Sequence, residues 1–259
     1  DRGLATLRSD EITLSKASTS TEDYDSYFDI WAWNDLNQQS TTASFGWRRY
    51  YHAIYIANYI IENQTKITEA TQDEISQLVG EAYMMRAYCH FLLVNLYADA
   101  YTHCNPATTR GIPLSLEANV NNVLTCSSVE QVYQQVIADI KEAKTRLKVA
   151  AWDEGYTYRF NQISADALLA RVYLYKGEWQ DALAEAKVVM EKHGDLEDLT
   201  DSKVLPNYYK SVESIVALEQ VMTSGYVKMG VPSKALVDTY RTGDKRKALY
   251  FKAQTASVY

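Results

Sequence analysis

GEAYMMRAYCHFLLVNLYADAY, residues 80–101, decides how the rest of the chain is read. It holds four tyrosines, one phenylalanine, two methionines and a cysteine around a single arginine, Arg86. Ala82, Met85, Cys89, Leu92, Leu93 and Leu96 recur at helical spacing on one face. Tyr83, Ala87 and Phe91 make a second face. A helix that is apolar on two faces lies between neighbours rather than on a surface. The stretch therefore reads as a core helix of a scaffold. Arg86 sits inside that apolar helix, and Arg171 inside another; each needs a carboxylate partner or a neighbouring helix end, because a buried charge is costly alone.

Working outward, this helix starts after Thr71, where Thr71-x-x-Glu74 is a capping-box pattern, and runs to about Ala98. Before it, Trp47, Tyr51, Ile54, Asn58 and Ile61 predict a helix from about Ser44 to Asn63. After it, residues 99–126 form a long connection broken by Pro106, Gly111 and Pro113. A third helix is expected from Ser127, with Ser127-x-x-Glu130 as its capping box. A fourth follows Ser164 and stops at Gly177, a natural left-handed terminus. The fifth, EWQDALAEAKVVMEKH, places Ala182, Leu183, Ala186, Val189 and Met190 on one face. The fourth and fifth make a helical hairpin in which Leu169, Ala170, Tyr173 and Ala182 fit a tetratricopeptide repeat. The core helix and the third could make a second, divergent pair. Residues 1–42 read as mostly irregular, 213–221 as a short β-like run, and 232–251 as a capped helix, a stop at Gly243 and a charged turn. The expected fold is all-α, mainly helical, with tetratricopeptide-like helix pairs, long irregular loops and little β. It is expected as a single domain over 1–259, with an irregular start (1–42), a helical scaffold (43–193) and a loosely structured end (194–259).

Composition narrows the function. The chain of 259 residues is 47% hydrophobic and 23% charged, with only 4 prolines, which suits a helical globular protein. Its net charge of -7 comes without a basic stripe, so a nucleic-acid ligand is not expected. The 21 tyrosines against 5 phenylalanines are the outlier. Tyrosine joins an apolar plate to a hydrogen-bonding end, which suits either wet aromatic binding surfaces or helix packing with the hydroxyl at the rim. Cys89, Cys104 and Cys126 have no metal spacing; Cys104 and Cys126, both in loops, leave a disulfide open. His52, His90, His103 and His193 are scattered, so no metal or other cofactor is expected. The sequence has no GxSxG, P-loop or GxGxxG pattern, Gly225 and Gly230 lacking a following Lys, and an enzyme is not expected. Asp23, Asp25 and Asp29 lack the Gly and terminal Glu of a calcium loop.

Six stretches, in order, resemble the SusD/RagB family of bacterial cell-surface nutrient-binding lipoproteins. They are WRRYYHAIYIAN (47–58), GEAYMMRAYCHFLLVNLYAD (80–99), GIPL (111–114), SVEQVYQQVIADI (128–140), ALLARVYLYKGEW (167–179) and PSKALVDTYRTGDKR (232–246). The resemblance implies a helical scaffold and an outer-membrane, cell-surface location, with attachment through an N-terminal lipid absent from this chain. It implies an oligosaccharide ligand and a partner, a SusC-like TonB-dependent transporter that takes up the ligand. The sequence lacks a signal peptide and a lipidated cysteine, the link from 219–222 to Pro232 is short, and the chain ends soon after the 243–246 turn. The match is thus to the N-terminal and middle part of a family member.

Two aromatic stretches have no helical period and are the candidate ligand contacts. In IWAWND, Trp31 and Trp33 would point the same way if the segment is extended, with Asn34 and Asp35 beside them. A sugar has a C–H face for an aromatic plate and a rim of hydroxyls for Asn, Asp or Arg. The resemblance implies that the stretch before the Trp47 helix contributes to the glycan site. The structural alternative is that one Trp anchors the segment to the helices. In AAWDEGYTYRF, Trp152, Tyr156, Tyr158 and Arg159 make the second candidate; packing against further chain or the transporter is the alternative. Trp47 and Trp179 start helices and read as structural, and Asp153-Glu154 as a solvated loop pair. The expected function is glycan binding for a SusC-type transporter. A peptide-binding RagB-like member and a tetratricopeptide-type protein-interaction scaffold are the alternatives.

Overall fold

A computed structural model describes residues 2–14, 21–43, 46–200, 205–206, 208–218 and 230–251. Ser44, Gly225 and the link 219–222 lie outside the described residues. The fold is mainly helical, as expected. The chain gathers into two compact units. One comprises Asp1–Gly46, Asp198–Lys203 and Gln220–Tyr259, the other Trp47–Glu197 and Val204–Glu219.

Among the described residues, the larger unit stacks five α-helices. They are α3 (Arg48–Asn63), α4 (Gln72–Tyr97), α5 (Val129–Arg146), α6 (Gln162–Lys176) and α7 (Trp179–Lys192). α4 lies between α3 and α5, α6 packs on α5, and α7 on α6. The central place of α4 explains its two apolar faces. Met84, Ala87, Leu93 and Val94 are buried with Ile54 of α3 and with Val132, Val136 and Ile140 of α5. Burying each large side chain of this kind contributes roughly 1.5–3 kcal/mol. Met84, not Met85, occupies the core position, and His90 joins it.

Local chemistry sets the helix starts. Thr71 and Glu74 form the expected reciprocal capping box. For α5 the cap is Ser128 with Gln131, one residue later than expected, because Cys126–Ser128 is held as a strand, β3, against β2 (Arg110–Pro113). α6 is capped by Asn161 with Ser164, so Ser164 is inside the helix and not before it. At the other end Gly177 has φ 81°, the left-handed backbone that glycine adopts without steric cost. α6 and α7 form the short-turn hairpin. On α7 only Ala182 of the expected apolar set is buried; Leu183 and Met190 are exposed.

Arg86 has the carboxylate it was expected to need. Its Nε and Nη2 donate to Asp139 at 2.8 and 2.5 Å, and its Nη1 donates to Asn58 at 2.9 Å. Asn58 in turn donates to the backbone oxygens of Ser115 and Glu117, both at 3.1 Å, tying the long connection to the core. Arg171, by contrast, is exposed and not buried in its helix, because α6 turns that side outward. The three cysteines are free, so Cys104 and Cys126 do not pair. Residues 213–218 form no strand, unlike the β-like run expected there.

The smaller unit departs from the irregular segment expected for 1–42. α1 (Arg2–Leu7) and α2 (Thr21–Trp31) are helical, and β1 (Ile12–Leu14) pairs antiparallel with β4 (Gly230–Pro232). Ile12 faces Pro232 and Leu14 faces Gly230. Ser233 caps α8 (Lys234–Asp238), and Gly243 turns with φ 87°. The expected charged turn is instead a further short helix, α9 (Lys245–Tyr250), capped by Asp244.

Candidate functional site

The AAWDEGYTYRF stretch forms a braced loop on the larger unit. Gly155 turns it at φ 98° with open space around, a conformation suited to glycine. The Tyr156 N–H donates to Asp153 O at 3.1 Å, and the Arg159 N–H to Tyr156 O at 2.9 Å, so two successive turns shape it. Tyr156 and Tyr158 are each 53% exposed, as the turns direct them outward. Trp152 is half-buried; its Nε1 donates to Phe160 O at 2.9 Å. The Arg159 guanidinium lies 4.0 Å from the Trp152 ring centroid, a cation–π contact, and pairs with Glu81 of α4 at 2.6 Å. Trp152, Tyr156 and Arg159 therefore meet in one group, the Trp152 and Tyr156 ring centroids lying 6.2 Å apart, and Tyr158 is exposed on the same loop.

α4 supplies the brace. Gln77 is 4% exposed, and its Oε1 accepts from the N–H groups of Lys148 and Val149 at 2.7 and 3.0 Å. Its Nε2 donates to Phe160 O at 3.1 Å and to Glu81 at 2.8 Å. One side chain thus closes both ends of the loop. Sequence reasoning missed it, because nothing near Gln77 in the chain marks a partner more than seventy positions away. Gln77→Ala is expected to lower the unfolding free energy by roughly 1–3 kcal/mol, since two backbone donors are left without an acceptor. Hydrogen exchange at Lys148 and Val149 should speed up in that variant; unchanged exchange would contradict the bracing role.

The IWAWND stretch is arranged differently from the extended strip expected. α2 ends at Trp31, which is half-buried and donates through Nε1 to Ile12 O at 3.4 Å. Trp33 has φ 57° and is 62% exposed. The two rings do not share a face by strand alternation, because the helix end and the left-handed residue break it. Trp31 is the anchor and Trp33 the exposed plate. The Arg8 guanidinium lies 4.6 Å from the Trp33 ring and pairs with Asp35. Asn34 points inward, donating to Asp29 at 3.0 Å. Buried Asp29 also accepts from the Gln39 N–H at 2.8 Å and the Thr42 hydroxyl at 2.7 Å. These donors, the Gln39 amide foremost, hold its carboxyl below the usual range and pin the loop that carries Trp33. A non-glycine residue in the left-handed region is uncommon and is tolerated where surrounding bonds fix it.

Two shallow depressions of the larger unit, of about 430 and 390 Å³, are lined by neither aromatic stretch. The first lies among Ile137, Tyr173, Lys176 and Asp181, the second among Leu114, Gln131 and Ala138. Among the described residues, no three His, Cys, Asp or Glu side chains gather to hold a metal, and no helix is long and apolar enough to cross a membrane.

Residues 5–174 match the SusD-like family described as starch-binding and associating with the outer membrane, and the chain belongs to that family. A curated SusD-like protein of Formosa agariphila is 32% identical over 153 residues, 58% of this chain and 26% of the relative. A solved SusD superfamily protein of Bacteroides thetaiotaomicron is 25% identical, with a TM-score of 0.62 over 74% of this chain and 41% of its own. A laminarin-binding SusD-like protein shares the fold at 24% identity, with a TM-score of 0.61 over 79% of this chain and 41% of its own. The chain thus spans 26% of that curated relative's length and 41% of each of the two solved chains.

Proposed function

We propose that the chain is part of a cell-surface glycan-binding protein that holds oligosaccharides and delivers them to a SusC-type TonB-dependent transporter in nutrient uptake. The carrying observation is the pair of outward plates, Tyr156 and Tyr158, on a loop braced by Trp152, Arg159, Glu81 and Gln77. A pyranose offers apolar C–H faces to such plates, while its hydroxyls accept hydrogen bonds from Arg159 and donate to Asp153 or Glu154. Trp33, with Arg8 and Asp35 at its edge and Asn34 holding the loop, offers a second surface of the same chemistry. The family description supports a starch-like ligand class and an outer-membrane location; attachment there through an N-terminal lipid is part of the same proposal. The role is to bind and not to cleave, without a cofactor.

The test is affinity electrophoresis and titration calorimetry against a panel that includes starch, laminarin and peptides. Binding to at least one glycan is expected. Tyr156→Ala combined with Tyr158→Ala should weaken it roughly tenfold or more, the equivalent of about 1.4 kcal/mol, without lowering the thermal midpoint. Trp33→Ala tests the second surface in the same way. Binding to peptides alone would favour a RagB-like peptide receptor. A protein-interaction scaffold is the second reading, favoured by the exposed Trp179, Leu183 and Met190 along α7; it predicts no glycan binding.

A further inference from the structure

We propose that Tyr208 and Tyr209 form a second sugar-binding subsite continuous with the Tyr156–Tyr158 loop, so that the surface takes an oligosaccharide of several units. The proposal rests on the glycan-binding reading and extends it to residues that neither the aromatic-loop pattern nor the family match singles out.

Tyr208 and Tyr209 are 44% and 43% exposed, and their rings meet edge to face with centroids 4.7 Å apart. Exposed tyrosine pairs on irregular backbone lie outside any helical core period, so core packing does not account for them. The segment is nevertheless fixed. The Tyr208 N–H donates to Leu205 O and the Ser211 N–H to Tyr208 O, both at 2.9 Å. Ser211 is buried, and Glu197 accepts from the Val212 N–H at 3.0 Å. Fixed aromatic plates lose little conformational freedom when a ligand arrives.

Three contacts join this segment to the loop. Lys210 pairs with Glu154. The Ala217 N–H donates to Thr157 O at 2.9 Å, between the two exposed tyrosines of the loop. Asn161 Nδ2, at the loop's end, donates to Ile215 O at 3.4 Å. Lys210 also lies 5.5 Å from the Tyr209 ring centroid, which leaves a cation and a carboxylate at the seam between the two aromatic groups. Plates on either side of a charged, hydrogen-bonding seam suit neighbouring sugar rings joined by a polar linkage. Two groups of plates joined through this seam would favour a chain over a monosaccharide.

The experiment is calorimetric titration of the intact chain with malto-oligosaccharides and laminari-oligosaccharides, each from disaccharide to octasaccharide. For the wild type, affinity is expected to rise with chain length. The Tyr208→Ala/Tyr209→Ala variant should bind the shortest active sugar as the wild type does but lose roughly tenfold on the octasaccharide. The Tyr208→Phe/Tyr209→Phe variant keeps both plates and should keep most of the length dependence, which separates ring contact from disturbance of the fold. If the alanine variant retains the full length dependence while Tyr156→Ala/Tyr158→Ala loses binding, this proposal is overturned and the glycan-binding reading stands. If the wild type binds no glycan of these series or of the wider panel, both are overturned.

Discussion

Replacing Asp139 by alanine is expected to lower the unfolding free energy by roughly 3–5 kcal/mol. Asp139 is 2% exposed, and it accepts both hydrogen bonds of the Arg86 fork together with one from Gln135 at 2.9 Å. Without it, Arg86 remains as a buried cation among α3, α4 and α5, held only by Asn58 and the Tyr83 ring. Breaking one side of a buried pair leaves the other charge desolvated and uncompensated, and that cost exceeds the net worth of the pair itself. A typical domain has only about 5–15 kcal/mol to lose, so the variant should sit near the edge of folding. The companion Arg86→Met/Asp139→Leu variant removes both charges and should recover much of the loss. Urea denaturation of the three proteins is the measurement. An Asp139→Ala loss below about 1 kcal/mol would contradict a buried Arg86 that depends on this carboxylate.

Acid should weaken the fold through His90. This side chain is fully buried on α4, beside Tyr51, and its Nε2 accepts from the Ser115 N–H at 3.4 Å. Burial, reinforced by the Arg86 charge, pushes its pKa down to about 3 from the usual 6.5. The sign follows from proton counting. Between those values the unfolded chain binds a proton that the folded chain refuses, so stability rises with pH through this window. The stabilisation is fully present above about pH 6.5 and is lost as pH falls toward 3, on the order of 4 kcal/mol across the whole span. Carboxylates with lowered pKa, such as Asp29 and Glu74, act in the same direction. The contribution of His90 is therefore isolated with a His90→Phe variant. On acidification from about pH 7 to about pH 4, the wild type should lose roughly 3 kcal/mol more than the variant. Equal losses would contradict a neutral, buried His90.

Much of the scaffold could be read from the chain because its signals are local. Thr71 with Glu74, and Gly177 after a helical run, specify a start and a stop within one turn of backbone. The two-faced pattern around Arg86 placed α4 between neighbours, and an arginine in such a helix implied its carboxylate. Where local chemistry offered two answers, tertiary pairing chose. Ser127 and Ser128 each have a Glu or Gln three positions on, and only the β2–β3 ladder selects Ser128. α2 was hidden because its buried face is slight, only Asp29 and Ile30 within a polar sequence. Leu183 and Met190 fit a helical stripe, yet the stripe is exposed in this chain, since periodicity reports a possible face and not its occupant.

The candidate surfaces were legible as aromatics without a period, but their geometry was not. Trp31 and Trp33 would have shared a face on a strand; the end of α2 and the φ of 57° at Trp33 separate them. The bracing of Tyr156 and Tyr158 depends on Gln77 and Glu81, far away in sequence on α4. Glu81 lies in the stretch 80–101 itself, so the helix that forms the core also positions the loop.

Glycan contact with the exposed tyrosines is tested most directly by saturation-transfer NMR on the wild type with a glycan from the binding panel, irradiating the aromatic protons. Saturation of the sugar ring C–H protons is expected, with its loss in the Tyr156→Ala/Tyr158→Ala variant and thermal unfolding unchanged. Glycan binding with sugar-proton saturation undiminished in that variant, or no glycan binding by the wild type, would contradict that contact.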